Sequence, residues 1–455
     1  MAGIAFLLEK HLKRPHLARF LMMETEQASQ AVGPWFLTIS CLTVMGIMVY
    51  LATGEPPTLF YLLITYATGL SLIISAPVYT ILSRFLADEV FFRRTDSIFN
   101  TLIAASVVMG FSSICISSAI IFSLSSVPLN CKVTFIILTT LFSLLWCIVS
   151  VINSLDKDRL TFWLFLAGAG TSIGLLLFTG ATNVTGLTNI FVAGIAVPVA
   201  GGYAYIMKLY LRQSVTMEWG FLRRPDACKI GLALFAVNLG FWIDKPIFWY
   251  SDSAGRSIDP LFRCSPQYDY PFFMAISLMM IAAFIVYRGI KKEIRNPFRS
   301  FIFKLFNNFP FRELSMEKVN LVRSVRLIML RILLVHGGVV MVVLFFVSTA
   351  VLPLPWTNPF VFHYLMVGTI FYALWFFCLL MMQYLDDYDS IFWLAVVFLI
   401  LNIVCTVASI ELGWQFYGLG FMVACIVSSV LSLIVLNSKL GRLEHGVFEK
   451  AVRGS

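Results

Sequence analysis

Twelve stretches of about 20 mostly apolar residues run along this chain, and they constrain its fold more than any other feature. A helix needs roughly 20 such residues to cross the hydrocarbon core of a bilayer. The stretches cover 33–52, 58–81, 99–124, 133–153, 160–179, 187–210, 228–249, 270–287, 327–350, 359–383, 390–409 and 416–437. Charged residues are only 13% of the 455, whereas a soluble protein carries about 25%. The sequence therefore predicts an all-α polytopic membrane protein with about twelve transmembrane helices.

The distribution of Lys and Arg predicts how these helices are oriented. If both termini are cytoplasmic, 28 of the 33 basic residues fall on the inner side and three on the outer side. Such a bias is the usual mark of the cytoplasmic side. The net charge of +9 is thus explained by topology, and it does not indicate nucleic-acid binding. Two basic residues, Lys245 and Arg331, fall inside the helices and need another explanation.

We expect an amphipathic entry segment at 1–32, helices one to six at 33–212, a cytoplasmic linker at 213–226, helices seven to twelve at 227–437 and a cytoplasmic tail at 438–455. The longest inner loop, 288–326, alternates basic and aromatic residues. It is either an interfacial helix on anionic lipid or a docking surface for a cytosolic partner. The candidate docking residues are Lys291, Lys292, Arg295, Arg299 and Lys304.

The seventh helix contains the most unusual polar residues of the chain, Asp244 and Lys245. They lie about 24 Å along the helix, near the outer face, because Asp244 is 16 residues beyond Cys228. Pro246 should break the helix there, which is tolerated only against protein or a water-filled cavity. The two side chains should point about 100° apart, so they are not expected simply to neutralise each other. Either each pairs with another helix, or both line a hydrophilic pathway together with Trp242, Trp249 and Tyr250.

Three further polar residues are candidates for the same pathway: Asn238, His336 and Arg331. A hydrogen-bonded packing role is the alternative for His336. Arg331 lies one turn inside its helix, where it can instead extend to the cytoplasmic interface.

Enzymatic motifs and cofactor sites are not found in the sequence. The five His and nine Cys form no CxxC, H-E-x-x-H, P-loop or nucleophile elbow. The cysteines are interpreted as packing residues, with a Cys131–Cys264 disulfide as the alternative. The acidic run at Asp386, Asp387 and Asp389 could hold a divalent ion, but no second acidic motif accompanies it. We therefore predict a transporter that is not an enzyme and has neither a cofactor nor a metal.

Five segments resemble the PelG family of Pel exopolysaccharide transporters. They are MAGIAFLLEKHL, AVGPWFLTIS, SAPVYTILSRFLADEVF, NLGFWIDKPIFWYSDSAG and SPQYDYPFF. The resemblance implies the fold of the MOP flippase superfamily, related to MATE transporters, with two six-helix lobes around a path of alternating access. It also implies a bacterial inner-membrane protein that exports a polysaccharide rich in N-acetylgalactosamine. The partners it implies are the cytosolic glycosyltransferase PelF and the membrane components PelD and PelE.

Two other functions stay open at this stage. One is an ion-coupled exporter of small molecules or lipid-linked oligosaccharides, with Asp244 as the coupling carboxylate. The other is a membrane scaffold that holds the synthase and conducts nothing.

Overall fold

The computed structural model describes residues 17–124, 126–211, 215–307, 309–349 and 358–444, and these residues are almost entirely helical. Twelve helices within these ranges are long and apolar enough to cross a membrane, which confirms the predicted number. They are α1 Leu17–Thr53, α2 Thr58–Phe91, α3 Ile98–Leu124, α4 Leu129–Ser154, α5 Asp158–Thr179, α6 Val184–Tyr210, α7 Ala227–Tyr250, α8 Pro266–Phe306, α9 Phe311–Ser348, α10 Pro359–Tyr384, α11 Tyr388–Glu411 and α12 Leu419–Gly441. Half of the predicted entry segment (1–16) and most of the predicted tail (445–455) lie outside the described residues, and 17–32 form the start of α1.

Several helix ends follow directly from local sequence. Asn183 caps α6 by accepting a hydrogen bond from the Gly186 amide (3.2 Å), and Asn358 caps α10 at the amide of Phe360 (3.0 Å). Such side chains satisfy amide groups that have no partner in the first turn of a helix. Gly180 ends α5 with a φ of +61°, a conformation that glycine adopts without steric cost.

Helix packing repeats with a period of six helices. In the first half α2 packs on α4, α4 on α3 and α6, α5 on α6, and α1 on α5. In the second half α8 packs on α10, α10 on α9 and α12, α11 on α12, and α7 on α11. We call α1–α6 the N-lobe and α7–α12 the C-lobe. The residue limits predicted for the lobes, 33–212 and 227–437, stay predictions.

The two lobes meet along two helix pairs, α2 with α7 and α1 with α8. A shift of six helices exchanges these two pairs. The lobes are therefore related by an approximate two-fold axis that passes between them.

Most of the predicted inner loop at 288–326 is helical, as one of its two interpretations expected, and these helices continue the apolar helices on either side. α8 continues without interruption to Phe306, and α9 begins at Phe311, so the two form a helical hairpin. Its apolar residues recur at helical spacing and bury Phe301, Leu305 and Leu321 between the two helices. A hydropathy window detects only the membrane-embedded part of such helices, because the amphipathic extensions have a low mean hydropathy. Each helix contains one π-helical turn near the start of the extension, Ile290–Ile294 in α8 and Ile332–His336 in α9.

The loop between α7 and α8, which is predicted to lie on the outer side, contains two short strands, β1 Arg256–Ser257 and β2 Arg263–Cys264. They pair antiparallel, with Arg256 opposite Cys264. The structure leaves both Cys131 and Cys264 as free thiols, so the alternative of a disulfide between them is not observed.

Candidate functional site

α7 is interrupted at Ile243, as Pro246 predicted. Its two segments are Ala227–Trp242 and Asp244–Tyr250. Proline has no amide hydrogen for the carbonyl of Trp242 and disfavours helical geometry at the preceding residue. Asp244 is therefore the first residue of the second segment.

Asp244 and Lys245 form an ion pair with each other inside the C-lobe. Lys245 Nζ lies 2.8 Å from Asp244 Oδ1, and the Lys245 amide donates to the same oxygen at 2.9 Å. Tyr268 of α8 donates its hydroxyl hydrogen to Asp244 Oδ2. The side chains of Asp244 and Lys245 are 0% and 4% exposed. The expectation that the two would not neutralise each other is wrong, because the long lysine stem folds back and brings Nζ to both the Phe241 carbonyl oxygen and Asp244.

The ammonium group of Lys245 lies among aromatic rings. It is 3.6 Å from the ring centroid of Phe272, 4.6 Å from that of Phe241 and 5.5 Å from that of Trp242. It also donates to the carbonyl oxygen of Phe241 at 2.8 Å. Ring faces attract cations, most strongly where water is excluded. The positive charge of Lys245 is therefore stabilised inside the protein without contact with solvent.

The opposite face of α7 meets α2 of the N-lobe. The Trp242 ring packs directly on Gly69, where an added Cβ would come within 2.8 Å of the indole. Further out, the ring of Trp249 stacks on Tyr66, with 4.4 Å between centroids and 18° between planes. We call this contact the α2–α7 seam, defined by Tyr66, Gly69, Trp242 and Trp249.

One polar group in the seam is unsatisfied. Trp242 Nε1 is buried and has no hydrogen-bond partner among the described residues. The corresponding nitrogen of Trp249 donates to Asp269 Oδ1 at 3.0 Å. A buried donor without an acceptor is costly, so it calls for an explanation at a functional interface.

The outer end of the seam is covered by the α7–α8 loop. The Tyr66 hydroxyl donates to the carbonyl oxygen of Arg263 at 2.8 Å, and the Ser126 amide donates to Asp259 Oδ2 at 3.1 Å. Tyr250 donates to the carbonyl oxygen of Leu261 at 2.7 Å. The loop belongs to the C-lobe, yet it is held by two sites on the N-lobe. Tyr250 thus lies in this cover rather than in the seam.

The three further predicted pathway residues lie at different places. Asn238 donates to the carbonyl oxygen of Leu234 on its own helix (3.0 Å) and also hydrogen-bonds with the Tyr79 side chain of α2, so it lies at the contact between the lobes. His336 is fully buried in the C-lobe, with Nε2 3.3 Å from Thr369 Oγ1 of α10. Arg331 pairs with Glu293 at the base of the helical hairpin.

The five candidate docking residues have different surroundings. Lys291 pairs with Asp158, and Arg295 Nη2 lies 2.6 Å from Asp156 Oδ2. Lys304 Nζ is 3.0 Å from Glu317 Oε1 and 3.4 Å from Glu313 Oε2. Lys292 and Arg299 are exposed. Two of the five thus link the hairpin helix α8 to the N-lobe.

The acidic run after α10 meets three cations from three helices. Asp386 pairs with Arg84 of α2 (2.8 Å), Asp387 with Lys439 of α12 (2.6 Å) and Asp389 with Lys229 of α7 (3.0 Å). These contacts explain how a turn rich in carboxylates is accommodated between helices. Groups of three or more potential metal ligands are not found among the described residues.

Sequence reasoning missed Tyr66, Gly69, Tyr268 and Asp269. Tyr268 and Asp269 lie in SPQYDYPFF, but nothing in that string indicates that the tyrosine hydroxyl contacts a carboxylate 24 residues earlier. Gly69 could be recognised only from the packing of α2 on α7.

The comparisons with known proteins agree with this architecture. The profile of the PelG exopolysaccharide exporter (EPS-E) family matches residues 1–448. No curated protein matches the chain in sequence.

Solved structures with the same fold are MOP-superfamily transporters. An outward-facing multidrug resistance MATE family transporter aligns with a TM-score of 0.58 at 13% identity, over 92% of this chain and 96% of that one. A MOP superfamily transporter from Pyrococcus furiosus, described by a reverse polarity of its binding pocket, aligns with a TM-score of 0.55 at 11% identity, over 92% and 96%. A MATE protein in complex with MaL6 gives 0.56 at 11% identity, over 92% and 97%. At this identity the likeness establishes the fold.

Proposed function

Because the chain belongs to the PelG family of exopolysaccharide exporters, we propose that its polysaccharide crosses the bilayer between the two lobes, along the α2–α7 seam. The observation that carries this proposal is the unpartnered indole N–H of Trp242, buried where the lobes meet. A sugar hydroxyl is an acceptor for such a donor, and ring faces suit the apolar faces of sugars. The stacked pair of Tyr66 and Trp249 extends the aromatic surface toward the outer face.

The contacts in the seam would also allow the two lobes to separate, as a transport path requires. Gly69 has no side chain, so the Trp242 ring lies directly on the backbone of α2 at this position. Separation of the lobes would expose the rings without breaking a large hydrogen-bonded network. Alternation between inner and outer openings around a site between two lobes is how inverted or repeated halves transport their substrates.

The family suggests the substrate, the partners and the location. We propose that the substrate is the Pel polysaccharide, rich in N-acetylgalactosamine, and that its synthesis by the glycosyltransferase PelF is coupled to export. PelD and PelE are the proposed membrane partners. The proposed location is the bacterial inner membrane with both termini in the cytoplasm, supported by the 28 basic residues on the inner side.

The substitution Trp242→Phe tests the path. It keeps an aromatic ring at this position and removes the N–H, which has no partner to lose among the described residues, together with part of the ring volume. Loss of one hydrogen bond to substrate, worth about 0.5–1.5 kcal/mol, should reduce polymer export by roughly twofold to tenfold. The measurement is cell-surface polymer against polymer retained inside.

Trp375→Phe is the matched control, since the nitrogen of Trp375 is also buried without a partner, but inside the C-lobe. Equal export by both variants would contradict the path. A scaffold that conducts nothing predicts normal export in both variants, provided that the synthase stays bound.

A second candidate function is ion-coupled export, favoured by the buried group of Asp244, Lys245 and Tyr268. Acidic groups inside membrane-spanning helices are often those that couple transport to an ion gradient. In proteoliposomes with an imposed proton or sodium gradient, Asp244→Asn should then abolish gradient-driven efflux. Efflux that continues in Asp244→Asn would exclude this carboxylate as the coupling group.

A further inference from the structure

Two turns on the cytoplasmic side share two dipeptides at matched positions, 230 residues apart. The first is Leu155-Asp156 followed by Phe162-Trp163, and the second is Leu385-Asp386 followed by Phe392-Trp393. The first turn joins α4 to α5 and the second joins α10 to α11, which are counterparts under the approximate two-fold axis.

The two turns also have the same backbone structure. Asp156 and Asp386 both have a φ of +55°, in the left-handed region that Asp tolerates better than most residues. The amide of Asp156 donates to Asn153 and that of Asp386 to Gln383, at 3.0 and 3.2 Å. The next amides, at 157 and 387, donate to the carbonyl oxygens of residues 152 and 382. Such agreement fixes the direction of each aspartate side chain.

Each aspartate pairs with an arginine of the opposite lobe. Asp386 of the C-lobe lies 2.8 Å from Arg84 of α2, and Asp156 of the N-lobe lies 2.6 Å from Arg295 of α8. α2 and α8 are themselves counterparts, so the two ion pairs obey the same approximate symmetry as the helices. Lys291 and Tyr287 of α8 reinforce the second pair by contacting Asp158, with the Tyr287 hydroxyl 2.7 Å from Asp158 Oδ2.

We propose that these two turns and their arginines form a cytoplasmic gate, which holds the lobes together and must open to admit polymer to the seam. The proposal rests on the proposed function and adds the residues that control its inner opening. The pairs are accessible to water, with side-chain exposures of 33% and 39% for Arg84 and Asp386 and of 34% and 47% for Arg295 and Asp156. Ion pairs of this exposure are weak, as a contact that breaks in each cycle needs to be.

A neighbouring ion pair that lies within one lobe serves as a control for the two gate pairs. Asp389 lies in the same run as Asp386, yet its partner Lys229 belongs to α7, so this pair stays within the C-lobe. Removing the Asp389 charge changes the run in the same chemical way without releasing one lobe from the other.

The gate can be tested on the full chain in lipid nanodiscs by pulsed electron–electron spin resonance. Spin labels at Asn153→Cys and Asn296→Cys, both exposed positions, report the distance between α4 and α8 across the lobes. The exposed Cys115 and Cys228 are first replaced by serine. The double variant Asp156→Asn/Asp386→Asn removes both charges, and asparagine still tolerates the left-handed turn.

We expect the double variant to add a population at longer label separation, and Asp389→Asn to reproduce the parent distribution. Arg84→Gln/Arg295→Gln removes the same pairs without touching the turns, so it should give the same shift even if the turn variants fold poorly. An unchanged distribution in the arginine double variant, or an equal shift in Asp389→Asn, would overturn the gate. The readout does not depend on export, so a wrong seam path and a wrong gate give different results.

Discussion

Lys245 is a charged residue in an apolar environment, and its neighbours explain how the C-lobe tolerates it. Its charge meets Asp244, a backbone carbonyl and three aromatic rings within one turn of helix and one neighbouring helix. This residue and its position along α7 could be predicted from the sequence, because a charged residue next to a proline stands out in an apolar stretch. The sequence could not predict the partners, because they depend on how a broken helix directs side chains and on Tyr268 of α8.

Lys245→Met should destabilise the protein strongly, since it leaves Asp244 buried without its cation. Removal of one partner from a buried ion pair typically costs about 3–5 kcal/mol. The double variant Asp244→Asn/Lys245→Met should recover a large part of this loss, because no uncompensated charge stays buried. Thermal unfolding in detergent measures both. A double variant less stable than the single one by the full cost of a second independent site would contradict the pairing.

Asp387, in the turn before α11, gives a pH dependence with a defined sign. Burial by itself would raise the pKa of its carboxyl, but hydrogen bonds from Lys439 and Ser390 outweigh it and hold the pKa below its usual value. A lowered folded pKa stabilises the native state above the unfolded pKa of about 3.9, and this contribution is lost as the pH falls through the folded pKa. Asp387→Asn should therefore unfold at a lower temperature at pH 7 and lose less stability than the parent on acidification. Parallel curves of unfolding temperature against pH for the two proteins would be inconsistent with this assignment.

Some helices in this protein are longer than the apolar stretches that identify them. Hydropathy located all twelve helices, since a span of about 20 apolar residues has few alternatives. It ended α8 too early and began α9 too late, because the extensions are amphipathic: the twelve residues of Arg295–Phe306 alone lengthen α8 by about 18 Å. The π-helical turns in both helices were equally invisible, since they depend on local hydrogen-bond geometry.

Close helix crossings depend on particular glycines, and Gly168 of α5 is the clearest. A Cβ at this position would lie 2.5 Å from the carbonyl oxygen of Gly194 on α6, a backbone atom that cannot rotate away. Gly168→Ala should cost about 1–3 kcal/mol by forcing the helices apart. Gly170→Ala on the same helix meets nothing within 4 Å and should be neutral or slightly stabilising. Thermal unfolding of the two variants in the same detergent checks the difference, and equal midpoints would argue against the crossing.

At the scale of the whole molecule, two lobes of matching helix packing meet at two symmetry-related contacts. The seam between α2 and α7 is bridged at both ends, by Arg84 with Asp386 inside and by Tyr66 with Arg263 outside. The sequence predicted twelve helices, and the resemblance to the family implied their arrangement in two lobes. It did not locate the seam, because Gly69 and Trp242 are 173 positions apart and meet only when α2 packs on α7.

The most direct test of the account asks whether polymer touches the seam while it is exported. A photo-crosslinking phenylalanine analogue can replace Trp249 in the seam or Trp163, which is 62% exposed on α5. Cells that make labelled polysaccharide are illuminated, and the purified chain is assayed for attached sugar. The account predicts crosslinked polymer at position 249 and little at position 163. Equal labelling at both positions, or labelling at 163 alone, would contradict export along the α2–α7 seam.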